Sequence, residues 1–406
     1  MDNKKIFICV LFVIFFISCL ILIFVLRNKK TSTLSDEDKP ITSLVQIKGS
    51  IEVYDNVKLS DIVNITNGTL KSDDEIDTST VRDMKLTVHY YDNRGKEANS
   101  LFDVSIVDTQ SPYIGLSKVY THVIGNEFNL EENVMCGDNY TVKPKCYIKG
   151  DYDLNNEKSY DLTFVAEDES GNITEKDFKL NVVKKKNSSS SSSPKISFNE
   201  LKKRIPSGSS MMIDISKWQE NVDWKKVKES GIDYVMLRVG TQKGIGGDSV
   251  IDSYFEKNVK GALENGLKVG VYYYSYAQNT SEAYEQAKWV VDKIKDYNIE
   301  LPVAFDWECF NMFNSFNMNF HTLNVIADFF LEEIEKSGYK SILYGSKNYL
   351  ENVWTYLDYD VWLAHYTENT TYGKEYIMWQ FTNMGSVPGV NGGCDVGIYY
   401  NNKVQE

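Results

Sequence analysis

The sequence predicts an α/β protein: a TIM-like barrel of eight strands and about five helices, preceded by two small β-sandwich repeats and one N-terminal transmembrane helix. Three observations predict this. After residue 205, short apolar runs alternate with amphipathic stretches, the rhythm of βα units around a parallel sheet. Between residues 41 and 184 that rhythm is absent, and short alternating strands are broken by Asp, Asn and Gly. Residues 6–26 carry no charge.

Ile6 to Leu26 would form a helix about 30 Å long, enough to cross a bilayer core. A cleaved signal peptide would be shorter and end at small residues. Phe16-Ile17-Ser18-Cys19 faintly resembles a lipoprotein processing box, but the chain stays apolar after Cys19. The reading is an uncleaved anchor over residues 1–30. Lys4 and Lys5 precede it and Arg27, Lys29 and Lys30 follow it, so charge leaves its direction open.

Met84-Lys85-Leu86-Thr87-Val88-His89-Tyr90-Tyr91-Asp92-Asn93-Arg94-Gly95 returns as Tyr160-Asp161-Leu162-Thr163-Phe164-Val165-Ala166-Glu167-Asp168-Glu169-Ser170-Gly171. Closing strands follow, Leu101 to Val107 and Lys176 to Val183. A strand, an acidic Gly turn and a closing strand resemble the end of a bacterial immunoglobulin-like cell-surface repeat. The repeats divide at 41–108 and 109–184 into two sandwiches with no catalytic constellation, which reads as a spacer. Of the 6 cysteines, Cys9 and Cys19 fall in the span as apolar filler. Cys136 and Cys146 share the second repeat; a bridge there would contribute about 2–3 kcal/mol in an oxidising exterior, and the sequence leaves the pairing open. With 4 His and no Cys-x-x-Cys pair, no structural zinc is expected.

Lys184-Lys185-Lys186-Asn187 and the serines Ser188 to Ser193, then Pro194, bury nothing and read as a flexible tether over 185–204. The barrel follows over 205–406. Its strands are expected at Met211–Ser216, Tyr234–Val239, Lys268–Tyr276, Pro302–Glu308, Ser341–Tyr344, Val361–Tyr366, Tyr376–Phe381 and Cys394–Tyr400. Helices are expected at Trp224–Ser230, Asp252–Asn265, from a Ser281 cap to Tyr297, Thr322–Ser337 and near Asn348–Trp354. The last strands leave no room for full helices between them.

The formal net charge of −13 and the lack of a basic face argue against nucleic acid as a partner. In Pro302-Val303-Ala304-Phe305-Asp306-Trp307-Glu308, period-2 alternation sends Asp306 and Glu308 to one face and Trp307 to the other. Paired acids at a strand end suit glycoside hydrolysis, one carboxyl protonating the leaving oxygen while the other acts at the sugar ring. Taken alone, Asp-x-Glu is more often a solvated edge, a helix cap or a metal site. Barrel chemistry sits at C-terminal strand ends, where Asp214 and Asp395 would join the pair. Four carboxylates at one mouth would raise at least one pKa.

Met212-Ile213-Asp214-Ile215-Ser216-Lys217-Trp218-Gln219 with Val222-Asp223-Trp224, then Gly270-Val271-Tyr272-Tyr273-Tyr274-Ser275-Tyr276-Ala277, Asp306-Trp307-Glu308, Trp362-Leu363-Ala364-His365-Tyr366 and Trp379-Gln380-Phe381 stand in one order. Over residues 211 to about 400 they resemble the blocks of glycoside hydrolase family 25, the lysozyme-type muramidases. The resemblance implies Glu308 as general acid and Asp306 as the carboxylate assisting at the anomeric centre. It implies Asp214 and Asp395 as flanking acids, and Tyr276, Tyr344, Tyr366 and Trp379 as substrate-binding aromatics. One departure is Asp395-Val396-Gly397, where the family usually has Asn at the third position. No metal or organic cofactor is implied. The implied substrate is peptidoglycan, cut between N-acetylmuramic acid and N-acetylglucosamine. That substrate would put the N-terminus in the cytoplasm and the barrel outside a bacterial membrane, with envelope assembly partners left open. Two alternatives remain: a non-catalytic glycan-binding surface protein, and a hydrolase of another N-acetylated glycan such as chitin.

Overall fold

Alternation along each barrel strand decides which side chains fill the barrel and which lie under the helices. In the computed structural model, which describes residues 41–130, 134–185 and 194–404, the strands are β1 (Ser210–Ile215), β2 (Tyr234–Gln242), β3 (Lys268–Ser275) and β4 (Val303–Trp307). They continue as β5 (Ser341–Ser346), β6 (Val361–Ala364), β7 (Tyr376–Gly385) and β8 (Cys394–Val404). Met212, Tyr272, Ala304, Ile342, Trp362 and Met378 point inward and form one core. Ile213, Val271, Phe305, Leu343, Leu363 and Phe381 point outward into a second, larger core.

The barrel closes because β1 pairs with β2 in parallel and with β8 antiparallel. Strand β8 is also antiparallel to β7. Asp395 therefore opens its strand, yet reaches the same rim as the acids that end β1 and β4. The helices are α1 (Phe198–Lys203), α2 (Trp224–Glu229), α3 (Phe255–Glu264), α4 (Thr280–Ile294), α5 (Phe320–Lys336) and α6 (Lys347–Asn352). The cap of α4 is Asn279, whose side chain accepts from Glu282 N–H, and not the expected Ser281. A capping side chain must sit before the first helical turn, where its oxygen meets free N–H groups.

The start of the barrel lies earlier than expected. Ile196 exchanges backbone hydrogen bonds with Met384 and Ser386, and Leu201 of α1 is fully buried in the outer core. Residues 196–204 thus belong to the barrel and not to a tether, because α1 has one apolar side to bury. The serines Ser188 to Ser193 and the Ile6–Leu26 span lie outside the described residues. Among the described residues, no helix is long and apolar enough to cross a membrane.

The chain divides into two units, 1–108 and 109–406. In the first, a four-stranded sheet runs in the order Ser50–Glu52, Glu97–Val107, Arg82–Tyr91, Thr69–Leu70, beside a two-stranded sheet of Ser43–Gln46 and Val63–Thr66. Residues 109–184 of the second unit repeat that order. Lys145–Lys149, Lys158–Glu167, Ile173–Val183 and Val119–Val123 form the larger sheet, and Tyr113–Gly115 pairs with Met135–Gly137. Cys136 and Cys146 are disulfide-bonded.

The 109–184 module is no free-standing spacer. It packs on the barrel through the segment after β4, with Met135 in the outer core beside Phe313 and Phe320. Its docking face is the three-residue strand Met135–Gly137 and the turn after it, too short to show a period in the sequence.

Candidate active site

Strand β4 carries Asp306 as its last residue but one, pointing into the barrel, and after Trp307 the chain turns at Glu308 into a 3-10 segment over Cys309–Ser315. Trp307 faces outward, 1% exposed, and its Nε1–H donates to Ala277 O at 3.1 Å. Asp306 is buried, whereas Glu308 is open to the groove. Strands β1 and β8 place Asp214 directly opposite Asp395 in their register. All four carboxyls line one recess of about 290 Å³, together with Tyr344 and Tyr366. A groove of about 560 Å³ shares Glu308, Tyr344 and Tyr366 with it and runs on past Phe310, Tyr349 and His365.

The electrostatics follow from crowding like charges out of water. Burial, then Glu308 and Asp214, push the Asp306 carboxyl well above the usual carboxylate range. Burial and then Asp395 do the same to Asp214. Asp395 rises to about 6, chiefly through burial, although a hydrogen bond from Tyr366 opposes the rise. Glu308 rises through desolvation in its recess, against hydrogen bonds with Asp306 and Tyr344. Asp306 and Glu308 thus titrate as a pair that holds a proton above the ordinary carboxylate range. One buried oxygen on each of Asp214 and Asp306 has no hydrogen-bond partner among the described residues.

Two of the four expected aromatics lie in the cleft. Tyr344 donates to Gln380 Oε1 at 3.0 Å, and Tyr366, 52% exposed, donates to the same oxygen at 3.2 Å. Tyr276 sits one ring further out, its centroid 5.3 Å from that of Tyr274, which lines the recess. Trp379 turns the other way: it is 6% exposed in the outer core, with Nε1–H on His365 O. The reason is the strand period. In β7 the inward residues are Met378 and Gln380, so Trp379 between them must face the helices.

Several lining residues were missed. Gln380 bridges Tyr344, Tyr366 and Asp214, its Nε2–H donating to Asp214 Oδ2 at 3.3 Å. Arg238 is held by Asp252 through two hydrogen bonds of 2.8 and 2.7 Å, and its charge opposes the rise of Asp214 and Asp306. Trp218 stands on the rim, 74% exposed, with the Lys217 ammonium over its ring. A polar residue inside an apolar strand, as with Arg238 and Gln380, was the available signal. Gly397 faces β7: a Cβ there would lie 2.7 Å from Trp379 O. Cys309 and Cys394 are buried free thiols.

The family model described as glycosyl hydrolases family 25 matches residues 213–390, which hold Asp214, Asp306 and Glu308 and stop short of Asp395. The chain is 30% identical over 209 residues to the uncharacterized protein YegX of Escherichia coli strain K12, covering 50% of this chain and 74% of that one. It is 27% identical over 187 residues to the autolytic lysozyme of Clostridium acetobutylicum, covering 45% of this chain and 54% of that one. Among solved structures, the modular autolysin LytC from Streptococcus pneumoniae, in complex with a synthetic peptidoglycan ligand, is similar. It has 24% identity, coverage of 59% of this chain and 56% of LytC, and a TM-score of 0.41. The chain thus spans about half the length of the autolytic lysozyme and of LytC.

Proposed function

From a C-terminal domain that belongs to glycosyl hydrolases family 25, we propose that this protein is a membrane-anchored muramidase, cutting the β-1,4 bond between N-acetylmuramic acid and N-acetylglucosamine in peptidoglycan. The similarity to the autolytic lysozyme supports the substrate. One observation carries the mechanism: Glu308 opens on the groove while Asp306, within its reach, keeps a buried oxygen unbonded at the floor.

Glu308 gives its proton to the glycosidic oxygen as the bond to C1 breaks. Asp306 holds the N–H of the 2-acetamido group, turning that group's carbonyl oxygen onto C1. Asp306 is short and lies one strand repeat below Glu308, better placed to hold the amide than to reach C1, so the reading is net retention by substrate assistance. Water then attacks C1, passes its proton back to Glu308 and releases the acetamido oxygen. Asp214 and Asp395 shape the charge of the site, and Tyr344, Tyr366 and Trp218 offer rings to the sugars. A glycan binder would have no use for four acids that burial drives toward neutrality.

The Ile6–Leu26 span would anchor the chain with its N-terminus in the cytoplasm and the barrel outside. The Cys136–Cys146 bridge suits that oxidising side. The test is zymography on cell walls with the chain from residue 31 onward, beside Glu308→Gln. The variant keeps shape and loses the proton, so clearing should fall by about 10²–10⁴-fold. Equal clearing by a folded Glu308→Gln protein would refute the assignment.

A further inference from the structure

We propose that the 109–184 module is a working part of the catalytic site, with Asn314 as the positioning residue through which it holds the Asp306-Trp307-Glu308 turn. The proposal rests on the hydrolase reading of that turn. The side chain of Asn314 reaches out of the barrel and clasps the module's backbone: Oδ1 accepts from Cys136 N–H at 3.0 Å and Nδ2–H donates to Val134 O at 2.9 Å. Beside it, Phe320 N–H donates to Asp138 O at 2.7 Å and Asn319 Nδ2–H to Tyr140 O at 2.6 Å. Gly137 lets the two surfaces close, for a Cβ there would lie 2.5 Å from the Phe320 ring and 2.8 Å from Phe313.

From this contact a row of rings leads to the acids. Phe313 packs 5.1 Å from Phe320 and 6.4 Å from Trp307, centroid to centroid. Phe310 and Phe316 add contacts to Trp307 at 5.1 and 5.5 Å. Trp307 stands between Asp306 and Glu308, so its orientation sets theirs. Phe310 also stacks on Tyr349 as part of the groove wall. The segment carrying these rings is a 3-10 stretch of 7 residues, a geometry with poor internal hydrogen bonds that rarely runs so long unaided. The module supplies the support that this segment lacks.

The experiment uses the chain from residue 31 onward and purified peptidoglycan, measuring kcat and KM from reducing ends released across a pH series. Asn314→Ala removes the clasp. Gly137→Ala pushes on Phe320 from the module side and removes no hydrogen-bonding group. Each is expected to lower kcat per folded molecule by about 10- to 100-fold with KM nearly unchanged, since small misplacements of reacting groups are costly. The alkaline limb of the profile should also move to lower pH, because a loosened segment admits water around Glu308. Asp306, Asp214 and Asp395 face Glu308 from β4, β1 and β8, Tyr274, Tyr344, Tyr349 and Tyr366 from neighbouring elements, Cys309 from the 3-10 segment, and Lys347, Glu351 and His365 from the groove they share. Neither variant replaces any of them, so a moved limb reports a change in the solvation of Glu308. A merely structural role would lower the folded fraction and scale the profile without moving it. A folded variant with kcat within about twofold and an unmoved limb overturns the proposal; if Asn314→Ala does not fold, Gly137→Ala decides. A wild-type chain that releases nothing would sink the hydrolase reading instead, a separate result.

Discussion

Replacing Asp395 by Asn should stabilise the protein at alkaline pH and leave acid stability unchanged. The Asp395 carboxyl rises from 3.8 to about 6 on folding, so the folded chain binds this proton more tightly than the unfolded chain. The contribution is full below pH 4, falls as pH climbs toward 6 and is lost above it. At about 1.36 kcal/mol for each unit, the rise corresponds to about 3 kcal/mol. The side chain is half-buried, and solvent screening brings that to about 1–2 kcal/mol. Asn keeps the volume and can still accept from Tyr366, now 3.4 Å from Oδ1. It also relieves Asp214, which Asp395 crowds from the facing strand. For a unit of this size the melting temperature should rise about 2–6 °C at pH 8. Calorimetry of both proteins at pH 4 and pH 8 measures it. Equal differences at the two pH values, or a less stable variant at pH 8, would refute the electrostatic account.

Trp218→Ala and Tyr366→Ala should each raise KM about 2- to 10-fold with kcat little changed, the expected cost of a lost stacking face; steady-state kinetics on soluble glycan fragments would check it. Cys146→Ser should lower the melting temperature through loss of about 2–3 kcal/mol, since the bridge spans 10 positions. An unchanged melt would mean that the docked module holds that loop without it. Proton NMR of the first-formed product, before mutarotation, should show the β-anomer; an initial α-anomer would mean inversion and discard substrate assistance.

The barrel and its acids were legible because both follow from period 2. Apolar alternation marks each strand, and an acid that breaks it at a strand end is either solvated or at work. Asp214, Asp306, Glu308 and Asp395 came together on that ground. In β7 the same rule sends Trp379 outward and Gln380 inward. The orientation of β8 was illegible, since parallel and antiparallel strands of that length share one pattern. So was the docking of the 109–184 module. Gly137 ends a three-residue strand, Asn314 sits in a 3-10 stretch and Asn319 caps a helix, pieces too short for a period to show, and a glycine signals only freedom until something packs against it.

The most direct test is the identity of the new reducing end. Peptidoglycan digested with the chain from residue 31 onward, reduced with borohydride and hydrolysed, should yield muramitol, and Glu308→Gln should yield none. Glucosaminitol in place of muramitol would contradict the proposed bond specificity. Release of muramitol by a folded Glu308→Gln protein at the wild-type rate would contradict the assignment of the acid.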